Sequence, residues 1–282
     1  MKSKSAIAAE LHCQPWLVSP LVHREFSAAL AKAVAMMEQP KQEPEKPYSV
    51  TSEGVAVIPV RGMLWRGWSS ALYDPWFGVT STDVLQRAVE DTDTDPAVTA
   101  IMLEIDSPGG MVTGIPEAAM TIKAAIKPTL AYNAGLMDSA AYWLASQTNL
   151  IYATPSARTG SIGAYIALLD SSVYFEREGL SMEVFRSGED KGMGLPGTKL
   201  TDSQRERLQT RIDRIGAEFR GAVATGRDKR VPAAYMEGDD YDAQESIAGN
   251  LIDVVGTPAA AVAALLEMAK QNAAKNEEEG TR

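Results

Sequence analysis

The sequence predicts an α/β fold, and three observations predict it. Short β-branched runs alternate with helical windows from Val50 to about Gly256. The 282 residues are 45% hydrophobic, enough for one large core or two modest ones. The candidate chemical groups fall where strands give way to helices, the junctions at which α/β folds keep their sites.

The elements follow in order. In the first segment, Phe26 to Met37 has apolar residues near helical spacing and reads as a short amphipathic helix for packing or assembly. The run from Gln39 to Pro47 holds three prolines among charged residues, which makes an extended linker. Beyond it, Val55–Val60 reads as a strand, Thr82–Glu90 as a helix, Val98–Ile105 as a buried strand and Val112–Ile126 as a helix. Thr129–Tyr132 then reads as a strand, Ala140–Gln147 as a helix and Leu150–Ala153 as a strand. Ile162–Leu168 is predicted as a strand, Ser172–Glu178 as a helix, Met182–Arg186 as a strand and Thr201–Thr225 as a long amphipathic helix. From Pro258 an Ala-rich helix runs toward a charged, frayed end. The expected organisation is an arm and linker over 1–47, a main domain over 48–256 and a helical tail over 257–282.

Composition narrows the function. The formal charge is 27 minus 37, or −10, and no long Lys/Arg block offers a phosphate-tracking face, which disfavours nucleic acid as a partner. One cysteine, Cys13, cannot form an intramolecular disulfide. With two histidines, a metal site has few ligands to draw on, so no metal and no cofactor is expected. The basic start is cut short by Glu10 and His12 before it resembles a secretory leader. The apolar stretch from Val254 to Ala269 is interrupted by Pro258 and Glu267 and is too short for a bilayer. A cytoplasmic protein without a membrane anchor is the expectation.

Both histidines, His12 and His23, lie in the arm, far from Ser139. A Ser-His-Asp triad needs an imidazole at the hydroxyl, so a nucleophilic Ser139 would need another base. Lys191, set among Gly188 and Gly192, is the candidate, because an amine takes that proton in Ser-Lys variants. To do so its pKa must fall from about 10.4 to about 7, which requires burial and a hydroxyl to orient the amine. Ser161, between Gly160 and Ile162, is the natural orienter. Gly109 and Gly110, after a strand, free their amides for an oxyanion. Each signal alone has a plainer reading: Ser139 as a helix cap, Lys191 as a surface lysine, Pro108-Gly109-Gly110 as a structural turn. The stretch Gly192–Lys199 matches a phosphate loop only loosely, since Thr198 stands where lysine should follow the glycine.

Five motifs together resemble the signal peptide peptidase A family of Ser-Lys peptidases, in particular its phage and prophage head-assembly branch. They are Ile105–Gly110, Ser139–Tyr142, Thr159–Gly163, Ser187–Lys191, and Val223–Arg227 followed by Ala248–Asp253. The resemblance implies Ser139 as nucleophile, Lys191 as general base, Ser161 holding the amine, and the Gly110 amide, with Gly109 beside it, meeting the oxyanion. It also implies the Clp-protease/crotonase fold, a spiral of ββα units, and a homo-oligomer in which neighbouring subunits complete the sites. Ala140 and Ala141 stand where membrane members often carry two glycines, which leaves the shape of the adjacent pocket open. The implied substrate is a polypeptide, with scaffold or capsid proteins expected before signal peptides. The competing readings are a catalytically silent head protein and an acyl-CoA enzyme of crotonase type. Trp65, Trp68, Tyr73, Trp76 and Phe77 form an aromatic cluster suited to a buried cap or to a substrate or subunit contact.

Overall fold

The computed structural model describes residues 16–18, 46–67 and 78–280. Its strands are β1 (Trp16–Val18), β2 (Ser49–Val50), β3 (Val55–Arg61), β4 (Met63–Trp65), β5 (Val79–Ser81) and β6 (Ala100–Ser107). They continue with β7 (Gly109–Met111), β8 (Thr129–Asp138), β9 (Leu150–Ala153), β10 (Arg158–Gly160), β11 (Asp240–Asp242) and β12 (Val254–Val255). The helices are α1 (Thr82–Thr94), α2 (Ile115–Ala124), α3 (Ala140–Ala145), α4 (Ser172–Arg177), α5 (Asp202–Gly226), α6 (Ala243–Ala248) and α7 (Pro258–Gly280).

The large sheet runs β11-β10-β8-β6-β3-β2, and its centre is parallel. Two strands share one side of β8: β9 pairs with its first half and β10 with its last residues. The small sheet runs β1-β7-β4-β5. Two long strands, β3 and β6, each turn into a short strand of the small sheet and then reach a helix, so the α/β expectation is met by ββα units.

Parallel strands must be covered on both faces. Ile58, Val60, Ile101, Leu103 and Ile105 face α1, α2 and α3, whereas Val55, Ala100, Met102 and Leu130 face Ala261 and Leu265 of α7. Each of the Val, Ile, Leu and Met side chains contributes about 1.5–3 kcal/mol by leaving water. The expected tail is thus a covering helix of the sheet over its first turns.

Two predicted strands are absent: Ile162–Leu168 and Met182–Arg186 are irregular apart from one bridging residue, Tyr165. The reason is that a strand needs a partner and a face to bury, and no residue from Gly163 to Ser203 is buried. Elsewhere the differences are of extent. The strand predicted as Thr129–Tyr132 continues to Asp138, and the helix predicted from Val112 starts at Ile115, after Gly114 turns the chain at φ 94°. Trp65 is buried, whereas Trp68, Tyr73, Trp76 and Phe77 lie outside the described residues, as do His12, Cys13, His23 and the helix expected over Phe26–Met37.

Candidate active site

Parallel strands end together, and here they bring the candidate residues to one edge. Ser107 at the end of β6 is in register with Met137, and Asp138 at the end of β8 is in register with Gly160 of β10. Gly160 in turn faces Asp240 of β11. Ser139 and Ser161 are therefore the next residues beyond two adjacent strand ends.

Both serines sit in backbone conformations that L-residues avoid, with φ 54° at Ser139 and 51° at Ser161. Such strain costs about 1–3 kcal/mol and persists only where the surroundings enforce it. The Ser139 N–H donates to the Gly160 carbonyl at 2.7 Å, and the Ser139 carbonyl accepts from Trp143 N–H at 2.9 Å. The Ser161 N–H donates to the Asp239 carbonyl at 2.7 Å. Buried Asn133 ties the two strands further back, donating from Nδ2 to the Arg158 carbonyl at 2.7 Å and to Thr159 Oγ1 at 2.9 Å.

Behind Ser139, helix α3 is buried along its whole length. Tyr142 Oη donates to the Leu251 carbonyl at 2.9 Å, and the ring of Trp143 stacks on Phe219 of α5 at 4.8 Å between centroids. The helices approach so closely that a Cβ on Gly226 would lie 1.9 Å from the Ser146 carbonyl oxygen. Just beyond, Arg227 is 1% exposed and makes a bidentate pair with Asp253 at 2.9 and 2.8 Å. Burial would raise the Asp253 carboxyl, but the hydrogen bonds and charge of Arg227 outweigh it and hold it below the ordinary range. The last of the five sequence motifs thus resolves into a clamp behind helix α3.

Gly109 and Gly110 lie in β7, which packs against α3. Gly109 has φ 99°, open mainly to glycine. A Cβ on Gly110 would meet the Leu64 carbonyl oxygen at 2.1 Å, so β4 and β7 can touch only at a glycine. The Gly109 N–H donates to Ser107 Oγ at 3.2 Å, and Gly110, the oxyanion donor that the resemblance implies, is paired with Leu64 of β4 on one side and Leu17 of β1 on the other.

Lys191 stands apart. It is exposed and, among the described residues, makes neither an ion pair nor a hydrogen bond from its side chain to either serine. Its turn is nevertheless anchored to α5. Gln204 Nε2 donates to the Glu189 carbonyl at 2.8 Å, and Arg207 pairs with Asp190. The α5 N-terminus beneath it carries a capping box between Thr201 and Gln204. The structure therefore sets Ser139 and Ser161 beyond adjacent strand ends and packs the strand of Gly109 and Gly110 on the helix after Ser139, but leaves Lys191 on a separate, open segment.

Sequence reasoning missed Asp138, the residue before the nucleophile candidate. Its carboxyl is buried, Oδ1 has no hydrogen-bond partner among the described residues, and burial followed by the charge of Asp240 pushes it up to about 7, with Arg158 opposing. An acidic residue closing an apolar strand was its only signal. Among the described residues no group of three His, Cys, Asp or Glu could hold a metal, and no helix is long and apolar enough to cross a membrane.

The model for peptidase family S49 matches residues 121–272, which include Ser139, Ser161 and Lys191. Capsid assembly protease C of Escherichia phage lambda is 34% identical over 204 residues, covering 71% of this chain and 46% of that protein. Head-tail preconnector protein GP5 of Enterobacteria phage P21 is 27% identical over 278 residues, covering 89% of this chain and 55% of its own length. The chain thus spans about half the length of these relatives. Among solved structures, an enoyl-CoA hydratase from Shewanella pealeana overlaps 83% of this chain and 80% of its own, at 14% identity and a TM-score of 0.49. With the family model matching more than half of its residues, the chain belongs to peptidase family S49.

Proposed function

We propose that the protein is a serine endopeptidase working through a Ser139–Lys191 dyad. The observation that carries this reading is the strained, buried Ser139, which follows β8 beside the strand that Ser161 follows and opens the helix packed on the glycine strand β7. Lys191 Nζ takes the hydroxyl proton as Ser139 Oγ bonds to the peptide carbonyl carbon, and the Gly110 amide donates to the developing oxyanion. The C–N bond then breaks, the lysine ammonium returns its proton to the leaving amine, and water releases the acyl group. Ser161 orients the amine, and neither metal nor cofactor takes part.

The exposure of Lys191 gives assembly a role in this mechanism, because a lysine acts as a base only when buried among apolar groups. Seven of the twelve exposed large apolar side chains of the described residues lie between Leu169 and Leu195 on the same segment. Phe185 is 94% and Leu169 89% exposed. A second copy of this chain covers this segment in the active homo-oligomer. Similarity to a phage capsid assembly protease and a phage head-tail preconnector protein favours scaffold or capsid polypeptides as substrates, in the host cytoplasm or within the prohead.

The test follows intact masses after purified protein is incubated with casein and with a neighbouring head protein. The parent cuts both. Ser139→Ala, which keeps its fold, loses activity by about 10⁴-fold or more. Equal cutting by Ser139→Ala overturns the assignment.

A further inference from the structure

The arm returns to the site. Strand β1 pairs antiparallel with β7 in the register Trp16 to Met111, Leu17 to Gly110 and Val18 to Gly109. The other side of β7 is held by β4 at Leu64, so β1 occupies the edge of β7 that would otherwise be free. This edge carries the two glycines and packs on the helix that begins after Ser139.

Resting on the peptidase reading above, a peptide attacked by Ser139 must bring its carbonyl oxygen to Gly110. An extended peptide does this by adding a strand, since backbone hydrogen bonds supply affinity without demanding one side-chain sequence. The place for that strand is the one β1 fills. We propose that residues 16–18 are an intramolecular competitor for the substrate strand, which a polypeptide must displace before it can be cut.

Two features suit such a device. The strand has three residues, too few to be held firmly by pairing alone. Residues 16–18 belong to the same chain as the site, 30 residues before β2, so the competitor acts intramolecularly, at a local concentration that a free peptide must exceed. Weak pairing with a high local concentration excludes poorly matched peptides while yielding to long or multiply bound chains.

The experiment measures binding in the full-length Ser139→Ala chain, so no catalysis is required. The probe is a fluorescein-labelled synthetic peptide of residues 12–22 with serine in place of Cys13, read by anisotropy. In a Cys13→Ser background, Trp16→Cys and Met111→Cys face each other across the antiparallel pair and lock the arm when oxidised. With the arm seated nine-tenths of the time, releasing it tightens probe binding by about tenfold. Oxidation should abolish binding, and reduction should restore it. The double variant Leu17→Pro with Val18→Pro removes one ladder N–H whichever way the pairing faces, and should bind about tenfold tighter than the parent.

Failure of the cysteines to join, equal binding in oxidised and reduced protein, or unchanged binding in the proline variant overturns the proposal. Failure of the peptidase reading looks different. A parent that cuts nothing sinks the dyad while the binding differences stand, and a locked chain with Ser139 restored that cuts as fast as the reduced one sinks the arm alone.

Discussion

The two halves of the proposed dyad live in opposite surroundings. Ser139 is 1% exposed, tied by backbone bonds to β10 and backed by a helix buried throughout. Lys191 lies in a stretch of some forty residues, 163–203, without one buried member. The Ser139 side is built by the core of one chain, and strain at Ser139 can be sustained because packing around it is dense. The lysine side has only its anchor to α5, through Gln204 and Arg207, and an unspent apolar surface. In the proposed mechanism, one chain therefore holds Ser139 and the glycine strand in place, and assembly would supply the burial that Lys191 lacks.

The largest expected effect tests the open half. Lys191→Ala should lower cleavage by about 10⁴-fold, as loss of one member of a catalytic unit does, and Lys191→Arg should not rescue it because a guanidinium stays charged. Steady-state cleavage of casein with matched oligomer size checks both. Rescue by arginine would return Lys191 to a positioning role.

Next comes the closed half. Arg227→Ala leaves Asp253 with only Arg230 at 3.4 Å and the Ile151 N–H at 2.8 Å, and should cost about 3 kcal/mol in urea unfolding, the low end for a broken buried pair. A cost below about 1 kcal/mol would mean that the clamp does not hold α3.

A smaller effect reads the pH. In the folded chain Asp138 titrates near 7 instead of at 3.8, so between these values the folded form keeps a proton that the unfolded chain has released. Stability should therefore fall as pH rises from about 4 to about 7 and level off above. Asp138→Asn should flatten that slope and stabilise the chain above pH 7 by up to a few kcal/mol. An unchanged slope would place the titration elsewhere.

The same contrast explains what was legible in the sequence. The apolar run Ala100–Ile105 and the amphipathic pattern of Asp202–Gly226 carry their own periodicity, so local pattern and tertiary packing agree. Residues 162–168 and 182–186 carry β-branched side chains just as plainly, yet they form no strands because a strand is a property of a pair. The glycine strand β7 was hidden for the converse reason: Gly109-Gly110-Met111 has no strand propensity and is extended by contact with β4 and β1. At the site, the motifs named Ser139, Ser161 and Lys191. Nothing local announced Asp138 or Asn133, whose roles depend on which strands end beside them, or that the motif at Arg227 reaches Asp253.

The smallest structural change and the most direct test coincide in Phe185→Glu. As a change at a side chain 94% exposed, it should alter unfolding free energy by no more than about 0.5 kcal/mol. The decisive measurement is peptidase activity per chain against protein concentration, with oligomer mass followed in parallel, for the parent and for this variant. Activity should rise with assembly in the parent and be lost with assembly in Phe185→Glu. Full activity in a monomer of either protein would contradict it, since Lys191 would then have found its burial within a single chain.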